Sequence, residues 1–461
     1  MTLLWSAIAL GFLFSWSAIP HLLLLDKRPV ATLAWGLGLL LLPFPTLPLY
    51  LLIGTDRLQR QRVARVEPRQ SREGLSPNPD PGEEPWKKAL ASLAGTPWQR
   101  LSGISWFTRG QDFYEHLTTS IREARESIYI ETYIWQNDPR GVAMRDELVA
   151  AARRGIKVYL LVDELGSWAI RESFFSPLRE AGGQFSWFYT VHPRRNRYFI
   201  NLRNHRKIIV IDHRSGYLGG MNFGIEYEGK DPATGPWIDC HACVRGSIVH
   251  SLEEVFQHDW FFSTQTELPP PPEVNHPSGG SPAILIESGP DAYHERNHLA
   301  INTLIATARE RIDLFTPYFI PTQELLHQLK LAALRGVRVR LLICQKSDIR
   351  FLIDISRSFY REMLDYQVGV YEFPDKVHHS KAIRVDDRIT MIGSTNLDIR
   401  SLHLNFEANL YLEDAPLAKD LDEHFATLFA GAEKISLEKL LEATAYERMR
   451  RGFLRLLAPL L

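Results

Sequence analysis

The stretch HRKIIVID at residues 205–212 returns 174 residues later as HSKAIRVD at 379–386, and the likeness extends well beyond those eight positions. ARESIYIETYIWQ (124–136) matches ARERIDLFTPYFIP (308–321), and LVAAARRGIKVYLLVD (148–163) matches LKLAALRGVRVRLLIC (329–344). The three offsets are 184, 181 and 174 residues. An offset that drifts so little marks one duplicated unit of about 180 residues, not an array of short repeats. The chain must therefore fold as two copies of one architecture. In each copy an Ala- and Leu-rich helix ends in Arg-Gly, a C-cap signal, and runs into an apolar strand. Strands alternating with helices predict α/β layers in both halves.

Further matched positions follow each motif. Ser394 and Asn396 stand fifteen and seventeen residues after His379; Gly220 and Asn222 stand at the same distances after His205. The runs KIIVI and KAIRV have strand character, so a period of two puts His205 and Lys207 on one face, and His379 and Lys381 likewise. Asp212 and Asp386 complete the two motifs and are grouped with the catalytic residues on that account. Their opposite parity points them away, which reads as structural anchoring rather than base catalysis. Lysine offers a point charge and asparagine N–H donors. Doubled across an interface, they make two lysines and two asparagines around one tetrahedral anion, with an imidazole on each side. Such a site suits phosphoryl transfer, one histidine attacking phosphorus while the other protonates the leaving oxygen. Each histidine needs an orienting carboxylate. Glu407, twenty-eight residues after His379, is the candidate for His379. Ala233 occupies that spacing in the first half, so Asp239, six residues later, is the candidate for His205. The positive charge at hand is lysine, so no metal and no cofactor is expected.

Composition sets the surroundings. Leu3 to Leu25 and Val30 to Thr55 contain no charged residue, and each run exceeds the roughly 20 residues that cross a bilayer. The first run is too long for a signal-peptide core, lacks a basic start, and is followed at once by the second. Two transmembrane helices over 1–56 are expected, with Pro43, Pro45 and Pro48 kinking the second. Arginines 57, 60, 62, 65, 69 and 72 follow. By the positive-inside rule they put the rest of the chain in the cytoplasm, and they serve either topology alone or also headgroup binding. The expected organisation is a basic juxtamembrane segment and linker at 57–86, a first domain at 87–265, a proline-rich linker at 266–282 and a second domain at 283–461. Net charge is −1 and RRNR (194–197) is the densest basic stretch of the body, which argues against a nucleic-acid partner. Three cysteines exclude a disulfide framework; Cys240 and Cys243 form one CxxC, a weak zinc signal without a second pair. The C-terminal YERMRRGFLRLLAPLL is either an interfacial helix or an ordinary packing helix.

These residues resemble the phospholipase D superfamily, defined by two HKD motifs. ATLAW, LYLLIGTDRL, NHRKIIVID, GGMN, TPYFIP, GSTNLDIRSLHLNFE and the terminal APLL are similar to bacterial cardiolipin synthases. The resemblance covers nearly the whole chain. It implies two tandem phospholipase D-like α/β sandwich domains related by pseudo-two-fold symmetry, with the site at their interface. The implied reaction is transphosphatidylation, in which two phosphatidylglycerols become cardiolipin and glycerol through a phosphohistidine. It further implies His205 as nucleophile, His379 as acid and then base, and Lys207, Asn222, Lys381, Ser394 and Asn396 as phosphate binders. Phosphatidylglycerol or other phospholipids are the expected substrates, and the bacterial inner membrane the expected location, with catalytic domains facing the cytoplasm. A phospholipase D-type hydrolase or another phosphatidyltransferase is the alternative. Gly220 departs from the hydroxyl residue common in the superfamily, and HHSK from the usual single histidine. Tyr318, Phe319, Phe351, Phe359 and Tyr360 are either walls for a lipid alcohol or core.

Overall fold

The computed structural model describes residues 2–25, 29–51, 83–188, 203–272, 274, 279–289, 295–346, 350–374, 377–413, 415–456 and 458. The six juxtamembrane arginines, the turn at 26–28, RRNR and parts of both linkers lie outside the described residues. The chain divides into two units, one containing the N-terminal segment and the other residues 74–190 and 203–461.

The large unit is built on two mixed sheets with the same strand order. In the first, the strands run Gly103–Phe107, His241–Arg245, Ser215–Gly219, Ile208–Ile211, Ser127–Thr132, Lys157–Asp163, Gln184–Phe188. In the second, Ser281–Ser288, Glu407–Glu413, Ile389–Gly393, Ala382–Val385, Arg311–Phe315, Arg338–Cys344 and Gly369–Phe373 repeat that order. IIVI at 208–211 does not alternate because both of its faces are covered. Ile209 and Ile211 pack with Phe113, Leu117 and Leu148 of the outer helices Gly110–Glu123 and Pro139–Arg153. Ile208 and Val210 face a core shared by both sheets, to which helices Ile248–Thr264 and Ala415–Ala430 contribute Phe256, Trp260, Leu421 and Phe425. Burying each such side chain contributes about 1.5–3 kcal/mol.

The Arg-Gly signals do what their chemistry predicts. After helix Pro139–Arg153, Gly155 takes φ +88° and donates to Ala152 O, while Ile156 N–H reaches Ala151 O. After helix Gln323–Leu334, Gly336 takes φ +85° and Val337 N–H reaches Ala332 O. Both are Schellman caps, which consume orphan carbonyls at the helix end.

One boundary differs from expectation. Helix Pro85–Ala94 puts Trp86, Leu90 and Ala91 into the outer core of the second half. Strand Gln99–Leu101 pairs antiparallel with Ser281–Ser288, adding an edge to the second sheet. Residues 85–101 thus belong with the second half, and the first begins at the strand Gly103–Phe107. An amphipathic ten-residue helix carries no sequence mark of which half it will cover.

The N-terminal unit consists of helices Thr2–Trp16, Ala18–Leu23, Pro29–Leu41 and Pro43–Leu49. Among the described residues no single helix is long and apolar enough to cross a membrane, contrary to the expected pair of continuous spans. The two breaks differ. At Ser17 the backbone stays right-handed helical (φ −64°, ψ −16°) and Ser17 N–H still donates to Leu13 O. At Leu42, which precedes proline, it leaves the helix (φ −131°, ψ 60°), as the clash with a following pyrrolidine ring requires. A Cβ on Gly11 would lie 2.5 Å from Phe44, and one on Gly38 2.7 Å from Thr46, so glycines let these helices approach closely. Trp5, Leu10, Leu13, Phe14, Leu24 and Leu33 remain exposed.

Candidate active site

Each motif histidine and lysine sits in the extended lead-in to its strand. The two lead-ins are tied to the opposite half by equivalent bonds: His205 N–H donates to Phe406 O (2.9 Å) and His379 N–H to Ile238 O (2.7 Å). Phe406 and Ile238 immediately precede Glu407 and Asp239, so these bonds deliver a carboxylate to each imidazole from the other half. His205 Nδ1 lies 3.0 and 3.1 Å from the Glu407 carboxylate oxygens and 3.1 Å from Ser394 O. His379 Nδ1 lies 2.8 Å from Asp239 Oδ2. Both acids expected from spacing reach an imidazole, each that of the other half rather than the one expected. Counting along one chain favours a partner from the same half, whereas the pseudo-two-fold brings each acid across the interface.

The contacts fix proton positions. Both neighbours of His205 Nδ1 are acceptors, so Nδ1 carries the hydrogen and Nε2 keeps its lone pair. Burial pushes His205 down to about 4 against the pull of Glu407, with Lys207 and Lys381 adding to the effect. The ring is neutral at neutral pH. Burial also works against ionisation of Glu407 and Asp239. The bonded His205 and Lys207 outweigh it at Glu407, and His379 and Lys381 at Asp239, so both acids stay below the ordinary carboxylate range. Burial brings Lys207 down to about 7, helped by Lys381 and opposed by Glu407. Its Nζ donates to His205 O (2.7 Å), as Lys381 Nζ does to His379 O (2.7 Å). Lys381 Nζ also lies 3.0 Å from His379 Nε2. Two buried ammonium groups that disfavour each other's charge form a socket that an anion would relieve.

The remaining expected residues divide. Ser394 supplies its carbonyl to His205, and its hydroxyl meets Glu407 and Ala408 N–H. Asn222 is buried; its Oδ1 accepts from Ile134 N–H and Thr132 Oγ1, and its Nδ2 donates to Tyr227. Asn396 is buried, its Oδ1 has no hydrogen-bond partner among the described residues, and its side chain bonds Asp398. Asp212 and Asp386 take no place at the site. They end their strands in type I′ turns at φ +51° and +50°. Asp212 accepts from the N–H groups of Arg125, Glu126 and Ser127, and Asp386 from those of Arg309, Glu310 and Arg311, all within 3.0 Å.

Gly220 has a steric reason. A Cβ there would lie 2.1 Å from Asp239 Oδ1, so a hydroxyl residue would displace the acid that holds His379. Two aromatics escaped the sequence reading: Tyr133 stands edge-on to His205 and Trp237 leans on His379, with ring centroids 5.0 Å apart in each case. Trp237, two residues before Asp239, could have been singled out; Tyr133 carried no signal. Tyr318, Phe319, Phe359 and Tyr360 are core, and Phe351 is half exposed. Cys240 faces the core shared by the sheets and Cys243 the outer core, so the CxxC cannot hold one ion. One trio of metal-type donors does converge among the described residues: Glu295 bridges His298 Nδ1 (3.1 Å) and His403 Nδ1 (2.9 Å).

A duplicated α/β unit with paired histidine–lysine lead-ins meeting across a pseudo-two-fold defines a phospholipase D-like protein. The family model described as "Cardiolipin synthase, PLD-like domain" matches residues 117–260 and 301–429. A cardiolipin synthase of Alkalihalophilus pseudofirmus is 34% identical over 95% of this chain and 90% of its own length. Cardiolipin synthase A of Pseudomonas fluorescens Pf-5 is 33% identical over 98% of both chains, and the major cardiolipin synthase of Bacillus subtilis is 35% identical over 78% of this chain and 76% of its own. The chain belongs to this cardiolipin synthase family of phospholipase D-like proteins. Its fold is shared with the phosphatidylserine synthase of Haemophilus influenzae (TM-score 0.63, 17% identity, 82% of this chain and 98% of that one).

Proposed function

We propose that the chain is a cardiolipin synthase that joins two phosphatidylglycerols through a covalent phosphatidyl-histidine. The observation that carries this reading is the crossed arrangement of two histidine–carboxylate pairs around two buried lysines. His205 Nε2 attacks phosphorus of the first phosphatidylglycerol, and the P–O bond to the headgroup glycerol breaks. His379 gives its proton to that oxygen and glycerol leaves. His379 then takes the proton from a headgroup hydroxyl of the second phosphatidylglycerol. That oxygen displaces His205 from phosphorus, giving cardiolipin and the free enzyme. Lys207 and Lys381 offset the charge on the phosphoryl oxygens, with Asn222, Ser394 and Asn396 lining the same anion. No step calls for a metal or cofactor. Water is kept from the intermediate by a site in which His205, His379 and both lysines are all buried.

The N-terminal unit anchors this chemistry to the bilayer. Ser17 stays right-handed helical between Thr2–Trp16 and Ala18–Leu23, which supports a single apolar crossing, and the kinked run from Pro29 to Tyr50 supports the return. The arginines at 57–72 put the catalytic unit in the cytoplasm. The test is purified full-length protein in phosphatidylglycerol vesicles with chelator, beside His205→Ala and His379→Ala. Cardiolipin and glycerol are expected from the native chain and neither from the variants. Phosphatidic acid as the main product would make it a hydrolase. Protease added to intact spheroplasts should spare the catalytic unit, and its digestion from outside would reverse the topology.

A further inference from the structure

Helix Ala445–Arg455 uses only one of its faces on the protein. Arg450 pairs with Asp354 at 2.9 Å; Arg455 bonds Ser358 O at 3.2 Å and Glu362 at 3.1 Å, with its guanidinium over the Phe359 ring. Leu454 packs at the edge of the second half's outer core. The opposite face has nothing against it among the described residues. Tyr446, Met449, Phe453 and Leu456 are 70%, 74%, 64% and 73% exposed. At 100° per residue these four positions fall within one 80° ridge, with Arg450 on one side and Arg448 on the other. An apolar ridge of four large side chains on a soluble surface is a site of association.

We infer that this ridge lies in an anionic lipid surface and holds the catalytic unit against it. Charge selects the occupant: the helix carries four arginines and one glutamate, and arginines beside an aromatic and aliphatic ridge suit lipid phosphates above an acyl boundary. The ridge is also preformed. Thr444 and Glu447 make a complete capping box, and the two anchored arginines fix the helix's rotation, so docking needs no folding step. The choice of phosphatidylglycerol as the lipid rests on the proposed function; the lipid contact itself does not require turnover.

The test uses the full chain. Cys240, Cys243 and Cys344 are buried, so a fluorophore sensitive to its surroundings can be placed selectively on Phe453→Cys, with Lys419→Cys, 75% exposed, as control. In phosphatidylcholine vesicles containing phosphatidylglycerol, the label at 453 should shift to the blue and be quenched by lipid-borne nitroxides. Both effects should weaken in about 0.5 M salt, and the label at 419 should show neither. Equal quenching of both labels by aqueous iodide overturns the proposal. So does a blue shift at 453 in dilute detergent without vesicles that grows with protein concentration, since a second copy would then cover the ridge. In turnover, Met449→Glu with Phe453→Glu should raise the surface phosphatidylglycerol needed for half-maximal rate about tenfold and leave the maximal rate unchanged. An unaltered lipid requirement overturns it.

Discussion

Glu407 and Asp239 are fully buried, and each gives its carboxylate to a histidine from the other half. The crossed pairing makes the two acids separable by experiment. Glu407→Gln and Asp239→Asn should each lower kcat on phosphatidylglycerol by about a hundredfold to ten-thousandfold. A substrate with a p-nitrophenolate leaving group needs no proton from His379, so it should restore intermediate formation in Asp239→Asn and not in Glu407→Gln. The reverse rescue would mean that the pairing is not crossed. Gly220→Ser should behave like Asp239→Asn, because its Cβ would occupy the carboxylate's place. The pH profile follows from the same burial. His205 titrates at about 4 instead of 6.5 and Lys207 at about 7 instead of 10.5. The free lone pair of His205 is lost only as pH falls toward 4, and the charge of Lys207 is lost as pH rises through 7. kcat/KM should therefore climb from about pH 4 and decline above 7. Lys207→Arg keeps its charge throughout, so it should move the alkaline limb upward at a lower plateau. An alkaline limb that stays put would show that another group sets it.

The duplicated motif is as much a hairpin as a catalytic element. Its histidine and lysine belong to the lead-in, its apolar run to a strand covered on both faces, and its aspartate to a type I′ turn. Seven residues of extended chain put the aspartate roughly 20 Å from the histidine, where it pins the start of the neighbouring antiparallel strand through three backbone N–H groups. Asp212→Ala should cost about 2 kcal/mol for three lost charge-assisted bonds and a positive φ without its natural residue. Urea unfolding measures the loss, and Asp212→Gly, which removes only the φ penalty, should recover part of it. kcat of the folded protein should stay near the native value in both. A fall in kcat with unchanged stability would return the aspartate to the chemistry. The strand and the helix caps were legible, because each rests on residues within one turn or one strand; the turn was read only as an anchoring aspartate. The role of Asp239 was only half legible, because its partner lies 140 residues away.

On the scale of the whole molecule, the halves are interlocked as well as paired. Residues 85–101 precede the first half in sequence and complete the second in space. Trp86→Ala should therefore destabilise the protein by about 3–5 kcal/mol. Hydrogen exchange should quicken first in helix Arg296–Thr307 of the second half, against which Pro85–Ala94 packs; loss of protection confined to the first half would contradict that placement. The sequence by itself determined that there are two copies of one α/β unit and that each carries the same histidine–lysine lead-in at the same offset. All of this follows from residue types and local spacing, which a duplicated gene segment writes twice. Only the tertiary structure decided which acid serves which histidine and where residues 85–101 belong. Those facts depend on how two similar surfaces meet, and a self-complementary interface looks the same from either half of the chain until the halves are brought together.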